Sequence, residues 1–415
     1  MAPLHRAQTG DVLTGLGWST LLQWTRLAGG ALVFLVAARF LSLAEFGIFA
    51  AAFAPVRVAQ MGLRGALVDA AAIAAKRPAS QRALRYVALG MGGLASLSIC
   101  AAGLMIADTV GQAMTALALV PFAQAIGAVP EGRLRAALKL RALAHRTGVT
   151  FAVSGALTLW LLGQGAGLWA LVTFAVATPC LSSVLACAMV RNRPIGKPNA
   201  RDIQDALRRV LPLVGRDAIA AAPLPLAQAM LAAFVGLPAA GAFQLASRLA
   251  GVLDGLAIAP LRYFALPTLR KSPQAFWPVF RLAAGIAVLV FPAAYVLSPW
   301  ALPLVVGADH APFVQPLVLP FCLWGGFTAL SMPFVQRAAV QGVTHLAVIR
   351  ATATTCGVLV SFGWIATASA EAAAWACALV SLGTSLWFGR AVARATALPC
   401  KMPTAFARIQ IRRPL

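Results

Sequence analysis

The run GWSTLLQWTRLAGGALVFLVAARF (17–40) lies in the first long apolar stretch of the chain, residues 13–38. About 20 helical residues cross the hydrocarbon core of a bilayer, so this stretch reaches from face to face. It is too long for the apolar region of a cleavable leader, and it carries Gln23 and Arg26 near its middle. It therefore reads as a retained membrane span with polar groups at depth. Outward from it the same pattern recurs at 46–70, 86–106, 113–130, 148–163, 168–190, 210–234, 240–264, 279–298, 313–335, 348–367 and 372–392. The prediction is an all-α polytopic membrane protein of about 12 transmembrane helices.

Composition supports that reading. The chain has 415 residues, 60% hydrophobic and only 11% charged, with a mean hydropathy of +0.83. Soluble domains are nearer a quarter charged. The connections are short, which excludes a tethered soluble domain of 50 residues or more. Lysine and arginine number 34 against 11 acids. If the N-terminus is cytoplasmic, 27 of those 34 fall in cytoplasmic segments, Arg39 alone falls outside, and six lie within spans. This asymmetry predicts both termini in the cytoplasm and assigns the basic loops to topology and anionic lipid rather than nucleic acid. Seven scattered cysteines and four separated histidines give no metal-ligand spacing. No phosphate loop, zinc-protease helix, serine elbow or calcium loop is present, so neither enzyme chemistry nor a cofactor is predicted.

The segment RNRPIGKPNARDIQDALRR (191–209) divides six spans from six. The expected organisation is an N-terminal six-helix lobe (1–195), a cytoplasmic linker (196–209), a C-terminal six-helix lobe (210–395) and a basic cytoplasmic tail (396–415). A shift of 194 residues lays Gly47 on Gly241 and Phe49 on Phe243. That weak internal repeat suggests two bundles related by a pseudo-two-fold axis, a plan in which binding sites lie between the bundles.

Charges inside the spans carry the functional signal, because an arginine at the bilayer centre costs about 2.5–3.5 kcal/mol on insertion scales. Arg26 and Arg57 fall at similar depth on consecutive spans. Ser19, Gln23, Arg26 and Gly30 share one helical face, as do Arg57, Gln60 and Arg64. Arg248 and Arg262 share a face of span eight, while Arg216 and Asp217 occupy the cytoplasmic part of span seven. For Arg64 and Arg262, snorkelling to the interface is an equal alternative, and the Gly251/Gly255 pair reads as close helix packing. Within the spans six arginines meet three acids, Asp69, Asp217 and Asp254. Asp217 and Asp254 are either coupling-ion ligands or salt-bridge partners. A chamber with surplus guanidinium groups suits phosphate or pyrophosphate, which arginine binds through bidentate charge-assisted hydrogen bonds.

The run 17–52 with GLRGALV (62–68) resembles the start of Wzx-type polysaccharide flippases of the multidrug/oligosaccharidyl-lipid/polysaccharide exporter superfamily. The resemblance rests on Trp18, Gln23, Arg26, Ala38, Arg39, Leu41, Phe46 and Gly47, with Ser42-Leu43 replacing the family's Gly-Pro. Residues 234–269 and 305–317 also resemble family segments. The resemblance implies two six-helix lobes around a cationic cavity, open alternately to each side of the bacterial inner membrane. It implies an undecaprenyl-pyrophosphate-linked oligosaccharide as substrate, lipopolysaccharide O-antigen or exopolysaccharide as product, and a polysaccharide polymerase and glycosyltransferases as partners. Arg26, Arg57, Gln23, Gln60, Arg64, Arg248 and Arg216 are the expected substrate-binding residues. The rival readings are a cation-coupled multidrug exporter of the same superfamily and a membrane-embedded polymerase or ligase.

Overall fold

The computed structural model describes residues 24–397 except 26, 28, 76, 138, 191–195, 197, 272–275, 344 and 365–368. Gln23 and Arg26 therefore lie outside the described residues, and so does the side chain of Arg262. The described chain is all helix: α1 (seen over 29–37), α2 (Leu43–Ile73), α3 (Pro78–Met105), α4 (Thr109–Leu117), α5 (Leu119–Ala136), α6 (Leu140–Gly163) and α7 (Leu168–Met189). There follow α8 (Ala200–Ala221), α9 (Pro223–Phe234), α10 (Leu237–Lys271), α11 (Phe276–Val306), α12 (Ala311–Val340), α13 (His345–Trp364) and α14 (Ala370–Ala397).

Eight spans are long and apolar enough to cross a membrane by themselves, with α4 and α5 counted as one, and α8–α9 makes a ninth as a bent pair. Helices α6 and α10 are long enough as well but carry Arg141 and Arg146, and Arg248 and Asp254, respectively. Counting those two and α1, of which the described residues cover 29–37, gives the twelve helical segments expected from hydropathy. The expected linker 196–209 falls largely within α8, which extends the seventh crossing as an amphipathic helix packed against α2 and α3. Pro223 and Pro225 open α9, and the axis turns 53° there. Proline removes a backbone donor and clashes with the preceding turn, so the bend falls where the sequence puts it.

Local chemistry fixes the turn between α1 and α2. Ser42 caps α2: its Oγ accepts from the Glu45 N–H, and the Glu45 carboxylate accepts from the Ser42 N–H at 2.9 Å. This reciprocal pair satisfies two helix-end donors. The second Glu45 oxygen accepts from Leu168 N–H at 3.3 Å, joining the starts of α2 and α7.

A few residues further on, α2 crosses α10 at backbone contact. A Cβ on Gly47 would overlap the Leu237 carbonyl, and one on Gly241 would overlap the Leu43 carbonyl. These two contacts are one contact seen twice, since Leu43 and Gly47 become Leu237 and Gly241 under the 194-residue shift. The crossing is thus self-complementary, as a two-fold axis between the halves requires. Around it lie Leu41, Phe46 and Phe243, all nearly inaccessible. Arg39 donates to the Leu304 carbonyl, and the His310 ring meets the Leu41 carbonyl at 2.9 Å. The end of the molecule carrying the α1–α2 and α11–α12 turns is therefore shut.

Candidate functional site

Away from that shut end, a chamber of about 560 Å³ opens among α1, α2, α5, α6, α7 and α10. Its deepest wall is aromatic, formed by Phe34, Phe49, Phe53, Phe151 and Phe174. Phe34 lies edge-on to Phe49 (5.7 Å) and Phe174 (6.5 Å), and Phe49 stacks on Phe53 at 5.2 Å. Five arginines and one acid, Glu131, line the chamber among the described residues.

Arg57 occupies the middle of α2, about 21 Å along its axis from Leu43 at 1.5 Å per residue. Arg248 reaches it from α10, and both also line a smaller neighbouring cavity of about 240 Å³. The two guanidinium groups therefore stand between two cavities, each lined by both. Arg248 lies over the Phe34 ring with Cζ 4.1 Å from the centroid, a cation–π contact worth roughly 0.5–2 kcal/mol. Its Nε is buried without a hydrogen bond, and among the described residues neither Arg57 nor Arg248 makes an ion pair. Gln60 lines the same space, and so do Gln124 Oε1 and Thr150 Oγ1, both buried and without a hydrogen-bond partner. Unmatched buried polar atoms are uncommon in folded proteins, and here several converge on one chamber.

The second cluster lies towards the other ends of these helices. Glu131, 5% exposed, accepts from Arg146 at 2.9 Å through Oε2 and from Arg135 at 2.8 Å through Oε1. Arg64 stands 3.6 Å from that same Oε1, and Arg135 also approaches Asp69 at 3.8 Å. Arg146 is 1% exposed and Glu131 holds it in place.

This geometry alters the charge count drawn from sequence. The three acids counted within spans omit Glu131, which hydropathy leaves just past the end of a span but which sits inside α5. Arg135 and Arg146, counted as cytoplasmic loop residues, line the chamber. The missed signal was periodic: Gln124, Ala128, Glu131 and Arg135 continue one face of α5 past the point where hydropathy falls. Of the expected binding residues, the structure brings together Arg57, Gln60, Arg64 and Arg248. Arg216 lies apart, paired with Asp217 at 2.8 Å on α8. Asp254 stands on α10 away from the chamber lining. Of the Gly251/Gly255 pair expected to pack closely, only Gly255 does so, against Leu27; Gly251 faces open space and lines the smaller cavity.

A third cavity, about 320 Å³, lies among α8, α9, α12, α13 and α14 beside the α8–α9 bend and contains Arg350. Arg350 donates to Ser385 Oγ at 3.3 Å and lies over the Phe388 ring.

A family model described as "Polysaccharide biosynthesis protein" matches residues 36–315. No curated protein matches the chain by sequence. Among solved structures, the chain is similar to the lipid II flippase MurJ in an inward closed conformation, with a TM-score of 0.72, 12% identity, and 91% of this chain and 87% of that one covered. It is also similar to an inward-facing multidrug resistance MATE transporter of the MOP superfamily (TM-score 0.62, 14% identity, 93% and 96% covered). A third is a MOP superfamily transporter from Pyrococcus furiosus, described as having a binding pocket of reverse polarity (TM-score 0.63, 14% identity, 92% and 95% covered). These likenesses establish a shared fold.

Proposed function

We propose, from the premise that this chain belongs to the polysaccharide biosynthesis protein family, that it flips an undecaprenyl-pyrophosphate-linked oligosaccharide across the bacterial inner membrane. The observation that carries this reading is the Arg57–Arg248 couple, which has no ion-pair partner among the described residues, in a chamber where those residues place five arginines against one glutamate. A diphosphate supplies the missing negative charge and enough acceptor oxygens for both forks. A cationic drug would meet like charge there, which disfavours the multidrug-exporter reading. The turns at the shut end are only a few residues long, as at 164–167 and 307–310, and offer a polymerase no outer domain for an acceptor glycan.

Lobes 1–195 and 210–395 would rock about the α2–α10 crossing. The positive-inside topology makes the shut end the outer one, so the chamber faces the cytoplasmic leaflet where the lipid-linked glycan would load. Arg57, Gln60 and Arg248 would bind the diphosphate, and Gln23 and Arg26, expected on the same grounds of sequence, would contribute from the first span. Surface polysaccharide assembly, with its polymerase and glycosyltransferases, would follow.

The test is transbilayer movement of labelled undecaprenyl-pyrophosphate glycan in liposomes containing the purified protein. Each lost charge-assisted hydrogen bond is worth about 1.5–3 kcal/mol. Arg57→Ala and Arg248→Ala should therefore each slow movement by about 10- to 100-fold while the protein stays folded. Wild-type rates in both variants would refute the assignment.

A further inference from the structure

The chamber holds two cationic stations of different kinds. The inner one, Arg57 with Arg248, has no internal counter-ion among the described residues. The outlying one has one buried carboxylate, Glu131, whose oxygens divide the labour, with the exposed Asp69 standing 3.8 Å from Arg135. Glu131 Oε2 is committed to Arg146, which is 1% exposed. Oε1 is shared between Arg135 and Arg64, whose side chains are 36% and 38% exposed. One acceptor atom thus serves two cations that both reach the open chamber, and Arg64 is held loosely at 3.6 Å. Arg64 also follows Arg57 by seven residues on α2, two turns and about 10.5 Å along the same face.

We propose that Arg64 and Arg135 form an entry station for the diphosphate, with Glu131 as a built-in placeholder anion. Arriving phosphate oxygens displace Glu131 Oε1 from these two arginines, while Oε2 keeps its hold on Arg146. The diphosphate then advances two turns along α2 to Arg57 and Arg248, and Oε1 recaptures the arginines it released. Glu131 so prevents the entry station from retaining its cargo. Arg64 and Arg135 are positioned for capture, Arg57 and Arg248 for the crossing itself. The proposal rests on the anionic-substrate reading above and adds an order of binding to it.

The test is titration of inorganic pyrophosphate into the purified full-length protein in nanodiscs of zwitterionic lipid. Glu131→Gln keeps an acceptor for Arg146 but removes the competing charge, and should bind pyrophosphate about tenfold more tightly than wild type. Adding Arg64→Gln and Arg135→Gln to Glu131→Gln should abolish that gain. In the liposome assay the single variant should load more readily yet move lipid-linked glycan more slowly. Glu131→Asp, which withdraws the charge by one methylene, should give a smaller gain in affinity and serves should Glu131→Gln fail to fold. Unchanged or weaker binding in whichever folded variant is measured overturns the placeholder role, even where wild type binds. Absence of pyrophosphate binding by wild type and variants alike would instead overturn the anionic-substrate reading. Undecaprenyl pyrophosphate placed in the nanodisc should bind more tightly than the free anion; equal affinity would mean that a soluble phosphate compound is the ligand.

Discussion

Arg57 and Arg146 both line the chamber, yet their surroundings assign them opposite duties. Arg146 is 1% exposed and bonded to Glu131. Breaking a buried pair leaves an uncompensated charge and typically costs 3–5 kcal/mol. Because Glu131 keeps Arg135, Arg146→Ala should cost somewhat less, about 2–3 kcal/mol, read as a lower unfolding midpoint of the purified protein. Arg57 lacks an acidic partner among the described residues and is only half-buried, so its truncation breaks no ion pair there. Arg57→Ala should therefore leave the midpoint unchanged while transport falls. Equal destabilisation by the two substitutions would contradict this division. The sequence reached Arg57, Gln60 and Arg64 because three polar residues at helical spacing stand out in an apolar run. It missed Glu131 and Arg146 because they lie where hydropathy falls off, and a helix end reads there as a loop. The phenylalanine wall was equally hidden, since one more apolar residue in an apolar span carries no signal.

At the level of elements, α2 joins the functions together. Its first turn is capped by Ser42 and Glu45, its fifth residue meets α10 at a glycine crossing, and its central and final thirds line the chamber. Hydropathy located the helix, and the 194-residue shift singled out Gly47 and Gly241. Sequence alone held no indication that the matched glycines touch. A side chain at Gly47 meets a backbone carbonyl, which cannot rotate away. Gly47→Val should therefore force α2 and α10 apart at the shut end. With the native cysteines replaced, a membrane-impermeant thiol reagent applied from outside should label Phe53→Cys in the Gly47→Val protein and not in its parent. Absence of labelling in both would mean that this crossing is not the barrier.

For the whole molecule, the prediction concerns direction. The uneven distribution of lysine and arginine predicts that the ends of the chain, and with them the open mouth of the chamber, face the cytoplasm. A fluorescent protein fused at either terminus should fold and fluoresce inside cells, whereas a periplasmic phosphatase fused there should stay inactive. The reverse result would invert the chamber and with it the direction of loading. The twelve-crossing plan was legible from hydropathy because each crossing must satisfy its backbone internally. The continuous reach of α8 was less so, as its polar face resembles that of a cytoplasmic connection.

One rod, α2, is pinned at one extremity by interlocked glycines and moored near the other by Arg64, which leans on a carboxylate from α5. Because α5 belongs to the same half of the chain as α2 while α10 belongs to the other, the mooring would travel with the rod when that seam parts. Unsealing one face would thus leave the brace at the opposite one intact, and a rod so braced would swing as a lever rather than bend.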